Sequence, residues 1–110
     1  MSTSNYKTLG QVSPAATTLT AIYTVPAATQ TTISSIIICN TNSTASSFSV
    51  SVAIGGASDT TKQYIYSLLP IQGNDTFIAT IGLTLSATDV VRVYAANTNL
   101  AFSIYGVEIS

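Results

Sequence analysis

The side chains best suited to catalysis are scarce in this chain: four acids, three bases, one cysteine and no histidine. Without histidine, the acid–base and triad schemes that depend on it are absent. A lone cysteine, Cys39, can build neither a zinc site nor an intrachain disulfide. It lies in an apolar stretch and reads as a small buried hydrophobe rather than a reactive thiol. The acids Asp59, Asp75, Asp89 and Glu108 are spread over separate turns and the C-terminal strand. Asp75 and Asp89 each precede an expected strand, where an Asp side chain caps its own turn. Calcium would need about six or more converging oxygens, and no ligand-rich motif supplies them. No catalytic residue, cofactor site or metal site is assigned.

What remains is suited to contact rather than to reaction. Tyr64, Tyr66, Tyr94 and Tyr105 fall in expected strands, where a ring packs in the core or on a sheet surface. Tyrosine is also enriched at protein interfaces, so both readings stand. Arg92 is flanked by Val91 and Val93 and must point opposite to them. Its partner is then either solvent or an acid of a neighbouring copy. These five residues and Ile37 are the candidate interface.

Ile37 belongs to the stretch that organises the rest, Ile33-Ser34-Ser35-Ile36-Ile37-Ile38-Cys39. In a strand, Ile36 and Ile38 point one way and Ile37 and Cys39 the other. Apolarity on both faces places this strand centrally, with both sides covered. The inner cover is an opposite sheet. The outer cover is either a long loop of the same chain or a neighbouring subunit, and the subunit is the expectation adopted.

Period-2 alternation recurs throughout. Strands are expected at Tyr6 to Gln11, Thr18 to Val25 and Thr31 to Asn40. The next has Phe48, Val50, Val52 and Ile54 facing inward and Ser47, Ser49 and Ser51 outward, and should pair with the Ile33–Cys39 strand. Lys62 to Leu69 follows and ends at Pro70. Thr76 to Leu85, Val90 to Ala95 and Leu100 to Ile109 complete the set. No segment has a helical period. About eight strands with short turns predict an all-β single domain, an antiparallel β-sandwich of jelly-roll or Greek-key type. It spans residues 1–110, with Met1–Asn5 as a candidate N-terminal arm.

Composition bears on partners. The chain is 46% hydrophobic and 6% charged with a formal net charge of -1, against roughly 25% charged in ordinary soluble domains. Ser and Thr supply roughly three residues in ten and carry the polarity instead. So neutral a surface tends to associate, which argues for burial against other copies or a partner. Lys7, Lys62 and Arg92 are too few to grip nucleic acid. The apolar runs fall far short of the ~20 residues that span a membrane. The N-terminal residues lack a secretory signal pattern, which suits synthesis in a reducing cytoplasm. Asn42-Ser43-Thr44 and Asn74-Asp75-Thr76 match the glycosylation pattern, as chance allows in so Asn/Ser/Thr-rich a chain.

Tyr6-Lys7-Thr8-Leu9-Gly10-Gln11, Pro14-Ala15-Ala16-Thr17-Thr18-Leu19-Thr20 and Ile22-Tyr23-Thr24-Val25-Pro26-Ala27 form an ordered run. Together with Leu83-Thr84-Leu85-Ser86-Ala87-Thr88-Asp89-Val90 and Arg92-Val93-Tyr94-Ala95, it resembles small virion structural proteins of tailed bacteriophages of aquatic bacteria. The resemblance covers most of the chain. It implies a many-copy capsid cement or decoration protein, a homo-oligomer around a three-fold that clamps neighbouring major capsid subunits. It also implies a place on the capsid surface after synthesis in the host cytoplasm. The alternative is a tail or fibre module whose loops bind a host surface sugar. Aromatics at loop tips would mark that binder, and aromatics on flat strand faces the cement. An ice-binding surface would need regular Thr spacing, which is lacking.

Overall fold

The computed structural model describes residues 3–110. They form eight strands: β1 (Ser4–Val12), β2 (Thr20–Thr24), β3 (Gln30–Asn40), β4 (Ser46–Ala53), β5 (Tyr64–Ile71), β6 (Thr76–Leu85), β7 (Val90–Ala95) and β8 (Leu100–Ile109). Two single 3-10 turns, Ile54–Gly56 and Thr61–Gln63, lie between β4 and β5. β-branched residues at alternating positions drive these strands, because a branched Cβ packs well on a pleated surface.

The strands make two four-stranded antiparallel sheets, the first in the order β1-β8-β3-β6 and the second in the order β2-β7-β4-β5. Every consecutive pair except β4–β5 crosses from one sheet to the other. This winding is that of a jelly roll. The β3 strand is internal, hydrogen-bonded to β6 and β8, as its two-sided apolarity requires.

One expected pairing is corrected. β3 and β4 are not neighbours: β4 pairs with β5 and β7 in the opposite sheet. Ile36 and Ile38 therefore meet Phe48 and Val50 across the core rather than side by side. The polar loop after β3 is a crossover, pinned by Asn40. Its buried side-chain amide donates to the Thr44 and Gln72 carbonyls, and its Oδ1 accepts the Asn42 N–H. Composition alone does not distinguish such a crossover from a hairpin.

Smaller shifts have local causes. In β2 a register irregularity between Ala21 and Tyr23 breaks the expected face, leaving Leu19 and Ala21 outside and Tyr23 and Val25 buried. β5 continues through Pro70 to Ile71, because it is an edge strand with no neighbour to receive the missing N–H. Ile54 leaves the sheet for a 3-10 turn and is 81% exposed instead of facing inward. Of the candidate Met1–Asn5 arm, Thr3 exchanges backbone hydrogen bonds with Ser110, and Ser4 and Asn5 pair with Ile109 and Glu108. Met1 and Ser2 lie outside the described residues.

Phe48 sits at the middle of the core, with the rings of Tyr66, Phe77 and Phe102 at 6.2, 5.3 and 6.2 Å in tilted or edge contacts. Where β1 closes on β2, a Cβ on Gly10 would collide with the Ile22 carbonyl oxygen. Glycine is what lets the two sheets meet there.

Candidate functional site

The two sheets differ in how their outer faces are finished. On the second sheet, Ser49 pairs with Tyr94, Ser51 with Arg92 and Ala53 with Val90, all facing away from the core. Ser49 and Ser51 point outward as expected, yet both are buried. Ser49 Oγ accepts the Leu68 N–H of β5 at 2.9 Å, and beside Ser51 the segment from Ile54 to Gln63 folds back, where Arg92 holds it. One guanidinium nitrogen donates to Asp59 Oδ1 at 2.6 Å and to the Ala57 carbonyl at 2.7 Å; the other donates to the Gly56 carbonyl at 3.0 Å. Asp89 anchors the same segment from the next turn. Its carboxylate accepts the Gly55 and Ser86 N–H groups, so its turn-capping role extends to a remote strand end.

The first sheet has no such cover. Its outer face carries Tyr6 and Thr8 from β1, Ala101, Ser103, Tyr105 and Val107 from β8, Ser35, Ile37 and Cys39 from β3, and Thr76, Ile78 and Thr80 from β6. None of these is charged; Lys7 and Glu108 lie on the alternate positions of β1 and β8. Ile37 stands opposite Ile78, which keeps 63% of its surface exposed, and Tyr6 keeps 81%. No described segment crosses this face. Cys39, expected to be buried, is half-buried here. Its position on β3 is one of those facing away from the core.

The six candidate interface residues thus divide. Ile37 and Tyr105 share the outer face of the first sheet. Tyr64 and Tyr94 flank a shallow groove with Ser49, Ser67 and Leu68 on the second. Tyr66 is half-buried, its ring packed against the core 5.4 Å from Phe77. Arg92 finds its acid within its own chain, not in a neighbouring copy. Sequence reasoning missed Ile78 and Tyr6. Ile78 had a signal, as the apolar residue on the opposite face from Phe77, Ala79 and Ile81. Tyr6 had none.

One polar cluster joins the layers at an end of the sandwich. Glu108 takes a salt bridge from Lys7 at 3.0 Å and a hydrogen bond from the Tyr23 hydroxyl, which also bonds Thr31 at 2.8 Å. The Tyr23 and Lys7 donors hold the Glu108 carboxyl below its ordinary value. Burial, then the carboxylate beside it, pushes the Tyr23 hydroxyl up to about 12. These are structural ties. Among the described residues, no three His, Cys, Asp or Glu side chains converge as metal ligands would. A cleft of about 500 Å³ between Val52, Ile54, Tyr64, Leu83 and Leu85 is mostly apolar, and its one acid, Asp89, is already committed to backbone N–H groups.

No protein-family model and no curated protein matches the chain. Solved structures do. A chain of infectious bursal disease virus, Gx strain, superposes with a TM-score of 0.55 at 8% identity, over 99% of this chain and 31% of that one. A chain of the acid-stable capsid of Helicobacter pylori bacteriophage KHP30 superposes with a TM-score of 0.53 at 12% identity, over 100% of this chain and 94% of that one. The chain spans about a third of the first protein and nearly all of the second. Likeness at such identities is one of fold.

Proposed function

We propose that this chain is a non-enzymatic virion structural protein, a bacteriophage capsid cement or decoration protein. It assembles with itself around a three-fold and seats on major capsid subunits at the capsid surface, with no nucleic-acid or membrane partner. The observation that carries this reading is the uncharged, uncovered outer face of the first sheet. Joining such a face to another surface buries apolar area without stranding a charge. The likeness in fold to chains from two virus structures supports it, as does the resemblance to small phage virion proteins.

The tail or fibre glycan-binding alternative needs aromatics at loop tips. All six tyrosines and all three phenylalanines lie in strands, which favours the cement. Quantitative mass spectrometry of particles carrying the protein tests the choice. Hundreds of copies per particle are expected, and a few tens or fewer would move it to the tail. Light scattering of the purified protein tests the three-fold, with a trimer mass expected and a strict monomer at high concentration refuting it.

A further inference from the structure

Strand edges invite pairing, and most proteins blunt them. Three of the four edges here are blunted. β1 has a register irregularity between Thr8 and Gly10 and runs beside β2. β2 is only five residues long and irregular at Ala21–Tyr23. β5 carries Pro70, two register irregularities and a positive φ of 49° at Leu68. On β6 the irregularity against β3 and Gly82 fall beyond Thr80, and the edge has none of these devices along Thr76-Phe77-Ile78-Ala79-Thr80. There the register against β3 is unbroken, from Cys39 opposite Thr76 to Ser35 opposite Thr80, with no charge, proline or glycine. The far side of β6 has no strand neighbour.

We infer that β6 pairs antiparallel with β6 of a second copy across a two-fold axis, joining two first sheets into one continuous sheet. The occupant is a second copy because the segment complements itself. A two-fold centred on Ile78 sets Thr76 against Thr80 of the second copy, Phe77 against Ala79, and Ile78 against its own equivalent. Thr–Thr and Ile–Ile are favourable cross-strand pairs, and a large ring opposite a methyl group avoids crowding. The uncharged outer faces continue across the junction with no like charges in register. An edge this short buries well under the roughly 800 Å² per partner of a standard interface. The contact therefore dissociates on dilution and gains strength in a many-copy assembly.

The contact differs from the three-fold and from capsid binding, so purified protein suffices to test it. With Cys39→Ser in place to prevent an intrachain bridge, Ile78→Cys puts two thiols on the axis. The ~4.5–5.5 Å Cα separation of directly opposed residues suits a disulfide. Leu68→Cys on β5, also exposed at 59%, is the control. Mild oxidation should give at least a ten-fold faster yield of covalent dimer for Ile78→Cys than for Leu68→Cys. Equal rates, or no dimer from either, overturns the edge pairing and leaves the virion reading standing. Sedimentation supplies the second measurement. Ile78→Lys should melt as the wild type does but lose its concentration-dependent two-fold association, and a wild type with no such association overturns the inference.

Discussion

Arg92 and Asp59 meet at 2.6 Å although one lies in an internal strand of the second sheet and the other in the segment folded over it. Asp59 is nearly buried, with 5% of its side chain exposed, and its second oxygen has no partner among the described residues. Removing the arginine therefore strands a carboxylate and frees two backbone carbonyls at once. Arg92→Ala should destabilise the fold by about 3 kcal/mol, near the lower end for a broken buried pair because the guanidinium is partly solvated. Urea unfolding reads the loss, and limited proteolysis should find new cuts between Ile54 and Gln63. Removing both partners, in Arg92→Met with Asp59→Leu, should recover much of it.

Adjacent isoleucines should behave in opposite ways. Ile36 is fully buried between the sheets and Ile37 is half-buried on the outer face. Ile36→Asp places a carboxylate in the core and should leave no cooperative melting transition. Ile37→Asp should stay folded, with a circular dichroism spectrum like the wild type, and lose self-association in light scattering. Unfolding of Ile37→Asp would mean that the outer position belongs to the core.

Most of this architecture is legible in alternation, since β6, β7 and β8 run where their patterns place them. Pairing is a different matter. Alternation says which residues share a face of a strand and nothing about which strand lies beside it, so β3 and β4 look like hairpin partners until the crossover at Asn40 is seen. The buried Ser49 and Ser51 show a second limit. A polar face reads as solvated whether water or protein covers it, and only tertiary contacts, the Leu68 N–H at Ser49 and those of Arg92 beside Ser51, distinguish the two. Ile37 was legible because two-sided apolarity needs no tertiary information.

Acid and base should act on one cluster from opposite sides. Glu108 titrates below its ordinary 4.5 in the folded state, so the unfolded chain binds its proton more readily. The stability it lends is present above that value and is lost as pH falls through the lowered one. Tyr23 is raised from 10.0 to about 12, so its contribution is whole below pH 10 and disappears as pH climbs through that range. Urea midpoints measured against pH should show both limbs. Glu108→Gln should flatten the acid limb, and Tyr23→Phe the alkaline one.

Trimming the central ring should be costly. Phe48 is fully buried and touches three other aromatic rings. Phe48→Ala should cost about 3–5 kcal/mol, enough to unfold a marginal domain of this size at room temperature. Differential scanning calorimetry checks the value, and Phe48→Leu should recover part of it.

Gly10→Ala is the smallest change expected to matter. The added methyl collides with backbone, not with a movable side chain, so the β1–β2 junction must open. A loss of about 1–3 kcal/mol is expected. Hydrogen exchange should show faster opening in β1 and β2 than in β3.

The strand order also governs the order of events in folding. β8 lies between β1 and β3, so neither can complete its ladder before β8 has been synthesised. Until then, β3 carries apolar residues on both faces with one of its hydrogen-bonding sides open. Only β4 and β5 pair with a sequence neighbour, and every other ladder joins strands far apart along the chain, a topology that folds over milliseconds to seconds rather than microseconds. The nascent chain is most exposed to aggregation during that interval, and a chaperone that shields β3 until β8 arrives would raise the yield of assembly-competent subunits.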